Sequence, residues 1–157
     1  MFQVFADGID YSRSEGLLGV GQTHSSSGEL LQITTLSNYV VKKVAVNSYG
    51  LFAIALTYDG QILSWGHNSF GQLGLGHRMH MKIPQLVTAL TCSFVCDVSC
   101  GVTHAAAVTT LGELFIWGHF GALDDLDEDQ FMTMTPKKVR FYLWPYLCTN
   151  ILFLRLS

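Results

Sequence analysis

Six histidines, four cysteines and one dense acidic run are the residues of this chain whose types could do chemistry, so their spacing comes first. His67, His77 and His80 lie near one another, yet no fourth ligand of suitable type stands at a zinc-site spacing, and they read as polar loop residues. Cys92, Cys96 and Cys100 recur with three intervening residues, Cys148 stands apart, and no Cys-x-x-Cys pair occurs. That pattern is neither a zinc ribbon nor a disulfide framework. In a strand-rich chain such cysteines read as buried free thiols acting as small hydrophobes. Reduced thiols point to an intracellular setting, which we take as cytoplasmic rather than nuclear. Asp124, Asp125, Asp127, Glu128 and Asp129 lack the central glycine and terminal glutamate of an EF-hand loop; they read as a solvated loop that could face a basic partner surface. Ser25, Ser26 and Ser27 with His24 have no acid or oxyanion donor nearby to support nucleophilic chemistry. No catalytic, cofactor-binding or metal-binding residue is therefore assigned.

Composition narrows the partners. Of 157 residues, 49% are hydrophobic and only 13% charged, with a net charge of −3 and no run of lysine or arginine. A chain whose main partner was a nucleic-acid backbone would need a basic patch, so a protein partner is expected. The first residues lack the basic flank and apolar core of a signal peptide. The apolar stretch from Phe141 to Ser157 is shorter than the roughly 20 residues of a spanning helix and is interrupted by Pro145 and Asn150, so no membrane contact is expected.

What must position these residues is a repeat. Val46 to His67 matches Val98 to His119 at a shift of 52, with identities at Val46/Val98, Ala53/Ala105, Ala55/Ala107, Thr57/Thr109, Gly60/Gly112, Trp65/Trp117, Gly66/Gly118 and His67/His119. The same shift carries Pro84 onto Pro136 and Val87 onto Val139. Within the unit, Phe52, Ile54 and Leu56 alternate with Ala53, Ala55 and Thr57, the pattern of a strand buried on both faces. Asp59-Gly60 then predicts a two-residue type I′ turn, with Gln61 to Trp65 returning as the partner strand. The second copy has Leu111 where Asp59 stood, and a leucine at positive φ is disfavoured, so its turn is expected to be looser or of another type.

After Trp65-Gly66 follows a loop with Gly71, Gly74 and Gly76, three glycines in six residues, where the backbone must turn sharply beside another element. Gly16, Gly19 and Gly21 repeat the spacing earlier, preceded by Val4, Phe5 and Gly8 in the role of a hairpin's second strand, so the chain starts in mid-unit. The order Gly-x-x-Gly-x-Gly, with no helix following, is the reverse of a dinucleotide fingerprint and reads as turn chemistry. Trp65 and Trp117 read as packing residues that fill the gap between neighbouring sheets.

The run Gly71-Gln72-Leu73-Gly74-Leu75-Gly76 after Trp65-Gly66, with an Ala-Leu-Thr-Tyr-Asp-Gly hairpin ahead and Pro84 to Val87 behind, closely resembles the repeat of the regulator of chromosome condensation family. Cys100-Gly101-Val102-Thr103-His104 resembles the family's Cys-Gly-x-x-His segment. The resemblance covers roughly Val4 to Val139, with Tyr49 and Phe52 standing where the family has glycine and histidine, and Leu123 to Glu128 replacing the glycine loop of the second unit. It implies an all-β fold: an incomplete β-propeller of about three blade units, too short to close the family's seven-bladed ring. The units are 1–45 (partial), 46–97 and 98–139, and 140–157 is an apolar tail that matches nothing. Gly60, Trp65, Gly66, Gly71, Gly74, Gly76, Gly101, His104, Gly112, Trp117 and Gly118 are the repeat-defining residues, with His104 implied to make a structural hydrogen bond. Two functions follow from the resemblance: a protein-interaction scaffold within a larger ring, or a guanine-nucleotide exchange factor for a small GTPase such as Ran. Either way no cofactor is implied, and the partner is a protein. An unclosed ring leaves bare blade faces, so missing repeats or self-association are expected to complete it.

Overall fold

A computed structural model describes residues 3–6, 16–21, 30–47, 49, 51–120 and 132–139. Among them are ten strands: β1 (Phe5–Ala6), β2 (Leu31–Gln32), β3 (Val41–Val46), β4 (Phe52–Thr57), β5 (Ile62–Gly66), β6 (Met81–Leu86), β7 (Val95–Cys100), β8 (His104–Thr109), β9 (Leu114–His119) and β10 (Met132–Lys138). They form two four-stranded antiparallel sheets, β3-β4-β5-β6 and β7-β8-β9-β10, and a two-stranded sheet β1-β2. The pair β1-β2 has the place in its unit that β5-β6 has in the next: Ile33 N–H donates to Val4 O as Val87 N–H does to Ile62 O, and a one-turn 3₁₀ helix follows each (Thr34–Leu36 and Thr88–Leu90). The molecule is all-β, an outer half-blade followed by two full blades of a propeller.

Alternation in β4 sends its two faces to different neighbours. Phe52, Ile54 and Leu56 pack with Leu73 against Val95, Val98, Ala105, Ala107 and Trp117 of the second blade. Ala53 and Ala55, with Leu63 and Trp65, meet Ile33 and Leu36 of the preceding half-blade. Large side chains thus face forward and alanines backward, and the tryptophan on the neighbouring strand of the same blade (Trp65 opposite Ala53, Trp117 opposite Ala105) fills the space that the small residues leave. Ion pairing adds to the seam near the inner strands. Lys43 Nζ lies 2.7 Å from Asp97 Oδ1 and donates to Val98 O, and Lys42 Nζ donates to Cys96 O. Lys43 holds the Asp97 carboxyl below the usual carboxylate range, chiefly by that hydrogen bond.

Each hairpin turn differs from the two-residue form expected. Thr57 N–H donates to Gln61 O and Gly60 N–H to Thr57 O, so the connection is three residues, Tyr58-Asp59-Gly60, with Gly60 at φ 79°. This is the hydrogen-bond pattern of a type I turn closed by a glycine bulge, in which only the last position must be left-handed. Leu111 therefore carries no strain: Thr110-Leu111-Gly112 makes the same connection, with Gly112 at φ 76°. The second turn is neither looser nor of another kind.

A constant shift of 52 also fails at the first strand. Val46 pairs with Ala53, and Cys100, not Val98, holds the equivalent place opposite Ala105. The connection from β3 to β4 (47–51) is two residues longer than that from β7 to β8 (101–103). Asn47 closes the longer one, its buried Oδ1 accepting from Leu51 N–H at 2.6 Å and Phe52 N–H at 3.4 Å.

Gly74 and Gly112 separate backbone strain from crowding. Both are left-handed, but a Cβ at Gly74 would lie 2.8 Å from Trp117 Nε1, whereas at Gly112 nothing stands within 4 Å. Gly112→Ala should cost about 1–2 kcal/mol for the left-handed conformation alone. Gly74→Ala should cost more than about 3 kcal/mol, because overpacking adds to the strain. Chemical denaturation of both variants checks this, and equal losses would mean that Gly74 is not pressed against the indole.

Candidate interaction surface

Trp65-Gly66 and Trp117-Gly118 set the site's framework. Trp65 Nε1 donates to Leu17 O at 3.0 Å and Trp117 Nε1 to Gln72 O at 2.8 Å, each acceptor lying in the glycine loop of the preceding unit. Gly19 stands against Trp65 as Gly74 stands against Trp117. The outer glycines of each loop reach the fourth strand of the following blade. Gly71 lies over Met134, and Gly21 N–H and Gly76 N–H donate to Lys82 O and Met134 O. Gly66 and Gly118, at φ 101° and 95°, lie against the start of the neighbouring strand, where a Cβ would strike Leu51 O and Thr103 O.

Two buried side chains, Asn68 and Gln72, shape the loop from 67 to 80. Asn68 Oδ1 accepts from Leu73 N–H, its Nδ2 donates to His77 O and Met79 O, and its own N–H donates to His80 Nδ1 at 2.9 Å. Gln72 Oε1 accepts from Phe70 N–H, and its Nε2 lies 2.8 Å from His67 Nδ1. Neither signal was readable from spacing, since an amide in a glycine-rich loop looks like any polar loop residue.

At the same end of the blades, ring side chains from two successive units come together. His67 stacks beside His80 at 4.7 Å between centroids and beside Phe70 at 6.3 Å, and Phe70 lies 5.6 Å from His119. His104 lies 5.3 Å from Phe120. Gly101 makes room for the His104 ring, which a Cβ there would strike, and Gly101 N–H donates to His104 O. In the first blade the corresponding positions are Asn47 and the fully buried Phe52, so the glycine is needed only where the histidine is present. Burial, then the nearby His119, push the His104 imidazole below its ordinary value.

The remaining assignments fall as follows. Asp124, Asp125, Asp127, Glu128 and Asp129 lie outside the described residues, as does Cys148. Cys92 is exposed, against the expectation of burial, because it follows the surface 3₁₀ turn rather than pointing into a blade; Cys96 and Cys100 are half-buried. The Cys100 thiol donates to Ala45 O at 3.6 Å, and burial pushes it up to about 12, which leaves it un-ionised and unreactive. Among the described residues no group of three His, Cys, Asp or Glu side chains is placed to hold a metal ion.

Blades of four antiparallel strands, each pinned by a Trp under the glycine loop before it, define a regulator of chromosome condensation propeller. The family's repeat models match residues 59–108 and 41–72, and the chain is a member of this RCC1-repeat family. Over 148 residues it is 42% identical to the mouse E3 ubiquitin-protein ligase HERC2, covering 91% of this chain and 3% of that protein. Its fold matches the crystal structure of human WBSCR16 with a TM-score of 0.71 at 21% identity, over 88% of this chain and 33% of that one. It also matches Prp20p of Saccharomyces cerevisiae with a TM-score of 0.66 at 17% identity, over 88% of this chain and 34% of that one. The chain thus spans a small part of HERC2 and about a third of each solved ring.

Two tests follow from the His104 pocket. Gly101→Ala should destabilise by on the order of 2 kcal/mol through overpacking, and His104→Ala made with it should recover part of that loss, a coupling of about 1 kcal/mol. Because folding lowers the proton affinity of His104, the stability it contributes is present above its ordinary value of 6.5 and is lost as pH falls from there. Thermal midpoints between about pH 7.5 and about pH 5.5 should therefore fall more steeply in the parent than in His104→Gln; equal slopes would refute the assignment.

Proposed function

We propose that this chain is a protein-interaction segment of an RCC1-type ring, and that its partner seats on the blade end carrying His67, Phe70, His80, His104, His119 and Phe120. The observation behind this reading is the run of ring contacts that crosses from the first blade to the second. His67, Phe70 and His80 sit on a loop clamped by the buried amides of Asn68 and Gln72, and His104 and His119 on strands, so the rings offer rigid area at small entropic cost, the property of interface hot spots. Met79 and Tyr49, 64% and 71% exposed, extend the apolar character of that end. HERC2 is a ubiquitin ligase by name; by analogy we assign this segment the recruitment of a protein rather than bond chemistry. The free thiols Cys92, Cys96 and Cys100 fit the intracellular setting we infer for it.

A second reading is guanine-nucleotide exchange on a small GTPase. It draws on Prp20p, a protein with binding properties to Gsp1p and histones. At 17% identity that likeness carries the fold, and no exchange residue is transferred to this chain.

Affinity measurements separate the two readings. Phe70→Ala combined with Phe120→Ala should weaken capture of the protein partner by about tenfold or more, as expected when hot-spot rings are lost. Undiminished binding would move the partner to another surface. Acceleration of nucleotide release in a panel of small GTPases would place the exchange reading first.

A further inference from the structure

Three imidazoles of the loop from 67 to 80 turn their Nδ1 toward a hydrogen-bond donor. The backbone N–H of Asn68 donates to His80 Nδ1 at 2.9 Å, and the backbone N–H of Met79 donates to His77 Nδ1 at 3.2 Å. A main-chain N–H can only donate, so both ring nitrogens must carry a lone pair. His67 Nδ1 faces Gln72 Nε2 at 2.8 Å, and the Gln72 amide cannot be turned over, because its Oε1 accepts from Phe70 N–H at 2.9 Å. His67 is thereby neutral at Nδ1, with its Nε2 3.2 Å from Ser69 Oγ.

We propose that this loop is an acid-sensitive clasp between the two blades: proton uptake at the His80 and His67 Nδ1 positions sets donor against donor and releases the loop from the second blade. The same loop grips that blade through Gln72 O on the Trp117 indole and Gly76 N–H on Met134 O, both within 2.9 Å. Asn68, fully buried, ties the histidines to that grip, since its Oδ1 holds Leu73 N–H and its carbonyl holds Gly71 N–H. Histidine is the side chain whose charge ordinarily changes between about pH 5 and about pH 8.

Among the described residues, the charged and titratable groups around the clasp push the same way. Arg78 lies in the loop, with its Nη2 on Met132 Sδ of β10, and Lys82 follows in β6. His119 of β9 reaches the cluster through Phe70. Arg78 and Lys82 are cations, so they add repulsion to a protonated loop. His67 and His119 have further partners of their own, and the clasp is argued from the Nδ1 acceptors alone. The inference goes beyond the proposed interaction function and needs no partner for its test.

Hydrogen exchange of the full chain, corrected for the intrinsic effect of pH, tests the clasp. Backbone amides of 68–76 should lose protection by about tenfold or more between about pH 7.5 and about pH 5.5, while β4 amides keep theirs. In His67→Asn combined with His80→Asn, Oδ1 takes the place of Nδ1 as an acceptor that does not titrate, and protection should hold at both pH values. His104→Gln should leave the acid response intact. Unchanged protection in the parent, or an equal loss in the Asn variant, would overturn the proposal. If the variant does not fold, imidazole ¹⁵N shifts of the parent decide. Protonation of His80 in step with loop exchange supports the clasp, and protonation without loss of protection overturns it.

Discussion

An indole N–H held by a carbonyl of the unit before it is the interaction on which the other features of this molecule depend. A tryptophan can lie flat under a neighbouring loop only if that loop brings no side chain over the ring and offers one acceptor at the indole edge. Gly19 and Gly74 meet the first need, and Leu17 O and Gln72 O meet the second. Once the indole occupies that space, the strand beneath it has room only for Ala53 and Ala55, or Ala105 and Ala107, on the face turned backward. The face turned forward is then free to carry bulk, which the next blade covers. Packing order along the ring is thus written into the alternation of one strand.

Neighbours supply what a single blade lacks. Val98, 2% exposed, and Val44, 38% exposed, occupy the same place in successive inner strands, and they differ because only Val98 has an inner strand packed in front of it. On the forward face of the second blade, Val108 is 37% exposed, whereas Leu56, its counterpart in the first blade, is fully buried. Burial in a stack of repeats is a property of pairs, so stability is shared across seams rather than held within units.

Much of this was legible in the chain itself. Strand alternation, the Trp-Gly ends and the glycine spacing are local and periodic, and they name both the fold and its repeat. The turn type escaped because Asp59-Gly60 serves a two-residue and a three-residue connection equally well, and only the pairing of Thr57 with Gln61 decides between them. The offset of β3 against β7 escaped because the chance identity of Val46 and Val98 concealed a two-residue insertion. The candidate surface was legible only in parts. His67, His77 and His80 were in view as loop residues, but their acceptor roles depend on backbone donors that no spacing reveals, and Phe120 enters the site only because it stacks on His104 from across the hairpin.

Sharing stability across seams is the claim that most needs testing, and the mass of the isolated chain in solution tests it directly. Sedimentation velocity over a range of concentrations should show association that grows with concentration, because exposed strand faces and apolar residues such as Leu111, 84% exposed, seek the contacts that neighbouring blades would supply. A concentration-independent monomer that unfolds in one cooperative transition would contradict the account.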